Sequence, residues 1–190
     1  NADYYYVKFF DVNNGVVICG YAKSNDTNES SRIYKTSNGG ESWETVGSGP
    51  ATNIIKGVVY VTADVGFFCY DYVDGMDSNL YKTDDGGKTF AKVILEAQEL
   101  DSSAANSQNQ ESSSKADGTT SVTSESTEQL KWNDVYKEAL VPVVDSTGII
   151  TIYLTQGKNG VYNDGKTAAK YQSSDNGSTW KYIGQMEIKD

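Results

Sequence analysis

Three copies of one eight-residue pattern constrain this chain more than any other feature of it. They are Thr36-Ser37-Asn38-Gly39-Gly40-Glu41-Ser42-Trp43, Thr83-Asp84-Asp85-Gly86-Gly87-Lys88-Thr89-Phe90 and Ser173-Ser174-Asp175-Asn176-Gly177-Ser178-Thr179-Trp180. The shared frame is hydroxyl, any, Asp or Asn, any, Gly, any, Ser or Thr, aromatic. It suits a tight turn between two antiparallel strands. Asp or Asn at the third place accepts N–H bonds from inside the turn. The glycine adopts positive φ without a Cβ clash. The hydroxyls close further local bonds, and the aromatic residue opens the next strand and packs inward, burying on the order of 150–250 Å². On this reading Thr36, Asn38, Gly40, Ser42, Trp43, Thr83, Asp85, Gly87, Thr89, Phe90, Ser173, Asp175, Gly177, Thr179 and Trp180 are structural residues.

The flanking sequence repeats with the boxes. Residues 4–10, 16–21, 32–35 and 43–46 read as strands, the first of them buried. A second unit follows at 58–61, 67–70, 80–82 and 90–95, and a third at 140–144, 149–154, 168–172 and 180–183. A glycine ahead of the second strand recurs as Gly15, Gly66 and Gly148. The first two boxes lie 47 residues apart, close to the period of a four-stranded propeller blade. The next interval is 90 residues, and residues 101–129 account for the excess with nine serines and no aromatic residue. Such a segment buries too little to offset its ordering entropy, so a disordered insertion is expected there. At its exit Trp132, Val135, Tyr136, Ala139 and Leu140 have helical spacing, which fits a short helix or an extended approach to the next strand. The expected fold is therefore all-β: a β-propeller region over 1–190 built of four-stranded antiparallel blades, three of them present, at about 4–47, 56–96 and 138–184. Three blades make an open arc. The remaining blades are expected from the parent chain or from self-association.

Composition narrows the partners. A net charge of −10 repels phosphate backbones, so no nucleic acid partner is expected. No apolar run of 18 residues exists, so no membrane span is expected. There is no histidine, hence no histidine base or metal ligand, and Arg32 is the one arginine. Cys19 and Cys69 are too few for a zinc site or a disulfide framework; buried apolar packing is the favoured reading, with a disulfide as the alternative. The chain opens in a strand-like run and not in a signal peptide, which suggests a trimmed or mature fragment. Its Asn, Ser, Thr, Gly and Tyr richness points to an extracellular or cell-surface protein.

Each box follows a matching strand end, Tyr34-Lys35, Tyr81-Lys82 or Tyr171-Gln172. Together these resemble the Asp-box (BNR) repeat of sialidase-like β-propellers, a repeat seen also in sortilin-type and photosystem assembly-factor propellers. The resemblance covers about residues 4–95 and 132–184. It implies a propeller but no particular reaction, because hydrolases and pure binding proteins share the box. For a sialidase it implies three arginines on the substrate carboxylate, a Tyr/Glu nucleophile pair and an Asp acid; Arg32 alone cannot form that clamp. A paired-carboxylate glycosidase needs two carboxyls about 5–10 Å apart. Asp64, Asp71, Asp74, Asp77, Asp145 and Asp164 are available, and the sequence does not pair them. The assembly factors use basic patches, which this acidic chain does not match.

Two further motifs are weaker. Gly160-Val161-Tyr162-Asn163-Asp164-Gly165-Lys166-Thr167 matches a phosphate loop, but no helix fits between it and the third box. Residues 11–15 and 71–77 are candidate calcium loops, neither filling the full pattern, and otherwise no cofactor or metal is expected. The boxes occupy third turns, so the opposite end of the blades carries the longer loops 22–31, 71–79 and 155–167. Contact residues are expected there: Asp71, Tyr72, Asp74, Gln156, Asn159, Tyr162 and Asp164. The favoured function is a non-catalytic propeller binding a glycan or protein, with no catalytic residue assigned. The alternative is a sialidase-like or other glycoside hydrolase, or a fragment of one.

Overall fold

The computed structural model describes residues 4–20, 31–51, 54–96, 135–157, 160 and 162–188. Three antiparallel meanders follow one another along the chain. The first joins β1 (Tyr4–Phe9), β2 (Gly15–Gly20), β3 (Arg32–Thr36) and β4 (Glu44–Ser48) in that order. The second joins β5 (Ile55–Tyr60), β6 (Gly66–Tyr70), β7 (Leu80–Thr83) and β8 (Ala91–Lys92). In the third, β11 (Ile150–Thr155), β12 (Thr167–Ser173) and β13 (Lys181–Glu187) are joined by an inner strand in two pieces, β9 (Glu138–Ala139) and β10 (Val143–Val144), both paired with β11. Pro142, which has no N–H to give a ladder, lies in the break. The insertion expected at 101–129 and the first part of the candidate helix, residues 130–134, lie outside the described residues; within the described part, 135–140, Glu138–Ala139 is strand, which there is the extended approach and not the helix.

Each box forms the turn between the third and fourth strands of its sheet, and the three share one bonding pattern. In the second, Thr83 Oγ1 accepts from Gly87 N–H at 2.8 Å and donates to Asp85 Oδ1 at 2.8 Å. Asp85 Oδ1 accepts from the Thr89 N–H at 2.9 Å, and Oδ2 accepts from the Thr89 hydroxyl at 2.6 Å. Ser173, Asp175, Gly177 and Thr179 repeat these bonds in the third box. In the first, Asn38 Nδ2 donates to Ser42 Oγ instead, so the hydroxyl becomes the acceptor. Positive φ extends one place further than the frame suggests: Gly39, Gly86 and Asn176, at the fourth place, are left-handed as well as Gly40, Gly87 and Gly177 at the fifth.

Register explains the recurring glycine and corrects its third member. Gly15 lies opposite Phe9 and Gly66 opposite Tyr60, and a Cβ on either would come within 2.9 Å of that ring. Opposite the first box residue the third sheet carries Ile150, paired with Val144. A smaller partner on the inner strand leaves room for a larger residue on the second. Gly148 is a turn residue two places earlier, not an equivalent.

The sheets pack in chain order, each turning a forward face to the next. Val16, Ile18 and Ile33 meet Tyr60, Phe68, Tyr70 and Phe90 in the first seam. Phe67, Cys69 and Leu80 meet Ala139, Ile150, Ile152 and Trp180 in the second. Fully burying one such side chain contributes about 1.5–3 kcal/mol. The box glycines lie in these seams. A Cβ on Gly87 would stand 2.9 Å from Ile33 of the sheet before it, and one on Gly177 would stand 2.5 Å from Phe67 of the sheet before it. Polar struts add to the seams: Lys35 Nζ donates to Ala63 O at 2.7 Å, and Lys8 Nζ donates to Tyr60 O. The expectation that the first strand is buried does not hold, because Tyr5, Val7 and Phe9 face outward on the first sheet. Cys19 and Cys69 are free thiols. They differ by one place in register, so Cys69 is sealed in the second seam and Cys19 faces the other way.

The box carboxylates tie stability to pH. The Thr89 hydroxyl and N–H hold Asp85 far below the usual carboxylate range, and the Thr179 hydroxyl and N–H do the same for Asp175. A depressed folded-state value stabilises the fold fully above the unfolded carboxylate range, about pH 4, and that contribution is lost as pH falls toward the folded value. Asn38 has no such dependence. The double variant Asp85→Asn with Asp175→Asn is therefore expected to show a shallower loss of stability below about pH 4 than the parent in urea unfolding, using the side-chain geometry already present in the first box.

Candidate functional site

The non-box end of the second and third sheets opens into a cleft of about 560 Å³. Its floor is apolar, with Leu80, Val93, Leu95, Ala139 and Leu154. Tyr72, Met76 and Ser78 come from the β6–β7 loop, and Tyr136 and Lys137 from the segment entering β9. Ile94, exposed by 60%, projects at the mouth. Asp77 Oδ2 and Lys92 Nζ pair across the rim at 2.8 Å. That pairing pulls the Asp77 carboxyl below its usual value and raises Lys92. Burial, with the Asp74 charge nearby, raises the Tyr72 phenol, so it stays protonated as a donor at neutral pH.

The cleft is held open by a fully buried amide. Asn79 Nδ2 donates to Tyr70 O at 2.8 Å and to Ala139 O at 2.9 Å, and its Oδ1 accepts from Ala139 N–H at 2.8 Å. One side chain thus fastens the inner strand of the third sheet to the second. Cys69 Sγ adds a bond to the same Ala139 carbonyl at 3.3 Å, and burial pushes its thiol up to about 12. Tyr171 Oη donates to Glu96 O at 2.8 Å, fixing the wall that carries Ile94 and Leu95.

Of the described contact residues expected from sequence, Tyr72 alone lines this cleft. Asp71 pairs with Lys56 at 2.6 Å, and Asp74 is exposed on the β6–β7 loop. Gln156 is buried: its Nε2 donates to Tyr162 O at 2.7 Å and to Thr167 Oγ1 at 3.0 Å, while its Oε1 has no hydrogen-bond partner among the described residues. Tyr162 is buried edge-on against Tyr136. Both are placed to brace the β11–β12 loop. Asn159 and the Asp164 side chain lie outside the described residues. Where the phosphate-loop pattern falls, a 3-10 turn at Tyr162–Gly165 runs directly into β12. Asp11 Oδ1 is occupied by the N–H groups of Asn13 and Asn14, and among the described residues no group of three His, Cys, Asp or Glu side chains could hold a metal ion.

The sequence places the contact face at the 71–79 loop, which holds Met76, Asp77 and Ser78, and offers Asp77 only among the candidate carboxyls; it misses Lys92, Ile94, Leu95, Tyr136 and Lys137. The signal was the meeting of two loops from successive repeats, one before the second box and one before the third unit, separated by the 97–134 stretch. Length marks the first loop, and nothing local marks the second.

No family model matches this chain, and no curated protein matches it. Among solved structures, one described as "YCF48 bound to D1 peptide" is similar with a TM-score of 0.41 and 12% identity. The match covers 96% of this chain, which spans 40% of that one. The sheets themselves define the class: successive four-stranded meanders stacked face to face in chain order, an all-β, propeller-like architecture.

Gln156 separates a brace from a ligand contact. Gln156→Leu leaves the Tyr162 and Thr167 oxygens without their donor and is expected to destabilise the fold by about 1–3 kcal/mol in urea unfolding.

Proposed function

We propose that this chain is part of an Asp-box (BNR) β-propeller of extracellular or surface placement, and that it acts as a non-catalytic recognition module that takes a polypeptide in the cleft between its second and third sheets. The apolar cleft floor carries this reading. Leu80, Val93, Leu95 and Leu154 suit an aliphatic or aromatic side chain, and the Tyr72 phenol and the Asp77–Lys92 pair at the rim suit main-chain or polar groups beside it. A glycan has few apolar faces and many hydroxyls, and Leu80, Val93, Leu95, Ala139 and Leu154 offer them no polar side chain; the polar lining residues are Tyr72, Asp77, Ser78, Lys92, Tyr136 and Lys137. The shared bonding of the three box turns, and the 47-residue interval between the first two, support the repeat assignment.

The hydrolase reading needs a carboxyl whose value is raised, so that it serves as an acid near neutral pH. The cleft's Asp77 is held the other way by Lys92. Asp71 is engaged with Lys56.

A displayed library of random linear peptides and an array of immobilised glycans, both probed with the purified chain, test the proposal. Enriched peptides sharing one bulky apolar residue are expected, with binding at least tenfold weaker for Ile94→Glu and Tyr72→Ala and unchanged for Asp145→Asn in the distant β10–β11 turn. Enrichment on the glycan array alone, or release of reducing sugar from a polysaccharide, would overturn it.

A further inference from the structure

The fourth strand of the second sheet stops early. β4 (Glu44–Ser48) has five residues and β13 (Lys181–Glu187) has seven, whereas β8 (Ala91–Lys92) has two. One hydroxyl accounts for the difference. Val93 N–H donates to Leu80 O at 2.9 Å, which begins a further rung between β7 and β8. The Leu80 N–H that would complete the rung, by donating to Val93 O, donates to Ser78 Oγ at 3.1 Å instead. Beyond Val93 the chain therefore parts from β7, and Ser78, Leu80, Val93, Ile94 and Leu95 line the cleft at that parting.

The same register fixes which main-chain groups point outward. Lys92 lies opposite Tyr81, and the next residue, Val93, bonds Leu80. Lys92 thus holds a non-hydrogen-bonded place against β7, and its N–H and C=O turn away from the sheet along the outer edge. Burial alternates beyond it as along an extended strand: Lys92, Ile94 and Glu96 are exposed, Val93 is buried and Leu95 is half-buried. The main-chain groups of Ile94 share the outward direction of those of Lys92. Among the described residues, none of these four groups has a hydrogen-bond partner.

The outer edges of the other two sheets are guarded. A bulge falls between Ile33 and Tyr34 where β3 pairs with β4, and another between Lys170 and Tyr171 where β12 pairs with β13. Bulges twist an edge away from an incoming strand. The β7–β8 register runs without one.

We propose that the partner binds by strand addition: an extended segment of another protein pairs with the outer edge of the second sheet at the main-chain groups of Lys92 and Ile94. This rests on the polypeptide reading of the cleft and adds the binding mode. Strand geometry then sets the partner's sequence. Its residues on the side of Val93 and Leu95 face the apolar floor, so it carries bulky apolar side chains two places apart. A helical ligand would space them three or four apart. The net charge of −10 favours a neutral or basic segment over an acidic one.

A displayed peptide library is selected on the parent chain, and synthetic copies of the enriched peptides are the probes. Lys92→Ala and Lys92→Pro both remove the ion pair with Asp77, and only proline also removes the outward N–H. That N–H makes no ladder bond, so the two variants are expected to unfold at the same urea concentration. Peptide binding is expected to be at least tenfold weaker for Lys92→Pro than for Lys92→Ala. Methylating the peptide's main-chain nitrogens one at a time is expected to weaken binding at least tenfold at alternate residues and not at those between. This second series leaves the protein unaltered and carries the test alone if Lys92→Pro unfolds at lower urea. Equal binding by two equally stable Lys92 variants, N-methylation tolerated throughout, or apolar residues recurring three or four places apart would overturn strand addition and leave the polypeptide reading standing. Enrichment of no peptide would overturn both. Amide exchange at Lys92 and Ile94 is expected to be fast in the parent chain and to slow when peptide binds. Slow exchange without peptide would overturn the proposal, assigning the edge to a second copy if it depends on concentration and to residues 97–134 if it does not.

Discussion

A Cβ on Gly87 would overlap the side chain of Ile33, and a Cβ on Gly177 would overlap the ring of Phe67. In each case the obstructing side chain belongs to the preceding sheet. The glycine is therefore required twice over. Its positive φ closes its own turn, and its missing side chain admits its neighbour. The box thus links two scales: the hydroxyl–carboxylate bonds fix the turn, and the fixed turn sets the separation between sheets. Lys35, reaching Ala63 O, and Asn79, bridging Tyr70 and Ala139, complete each seam with buried polar bonds that only one relative position of the sheets satisfies.

Much of this was legible in the sequence because it is local. The boxes, the strand that precedes each of them and the turn chemistry of the frame depend on residues within eight positions of one another. What depended on pairing was not legible. Gly148 looks like a third copy of Gly15 and Gly66, but register puts Ile150 at their place, because Val144 and not an aromatic ring stands opposite. Tyr5, Val7 and Phe9 look like core, and they are core in composition; the first sheet simply has one face more than the described chain covers. Gln156 and Tyr162 were candidate contacts for being polar or aromatic in a long loop, and the same properties let them brace that loop from inside.

The cleft follows from the same construction. The boxes draw their turns together at one end. At the other end the loops vary in length, and between the second and third sheets they leave an apolar hollow rimmed by Asp77 and Lys92. The carboxylates of the chain divide by location. Asp85 and Asp175 in the boxes are held ionised by hydroxyls and N–H groups, and Asp77 at the cleft is held ionised by a lysine. An ionised carboxylate accepts hydrogen bonds and is not a proton donor at neutral pH.

The central claim is that the box glycine and the preceding sheet share one space, and a double-mutant cycle on Gly87 and Ile33 tests it. Gly87→Ala forces a methyl against the Ile33 side chain, and Ile33→Ala removes that side chain. In urea unfolding, the account predicts that Gly87→Ala costs less in the Ile33→Ala background than in the parent, with a coupling of about 1 kcal/mol or more beyond the φ strain common to both. Costs that add to within about 0.5 kcal/mol would contradict it, and would reduce the box glycine to a turn residue alone.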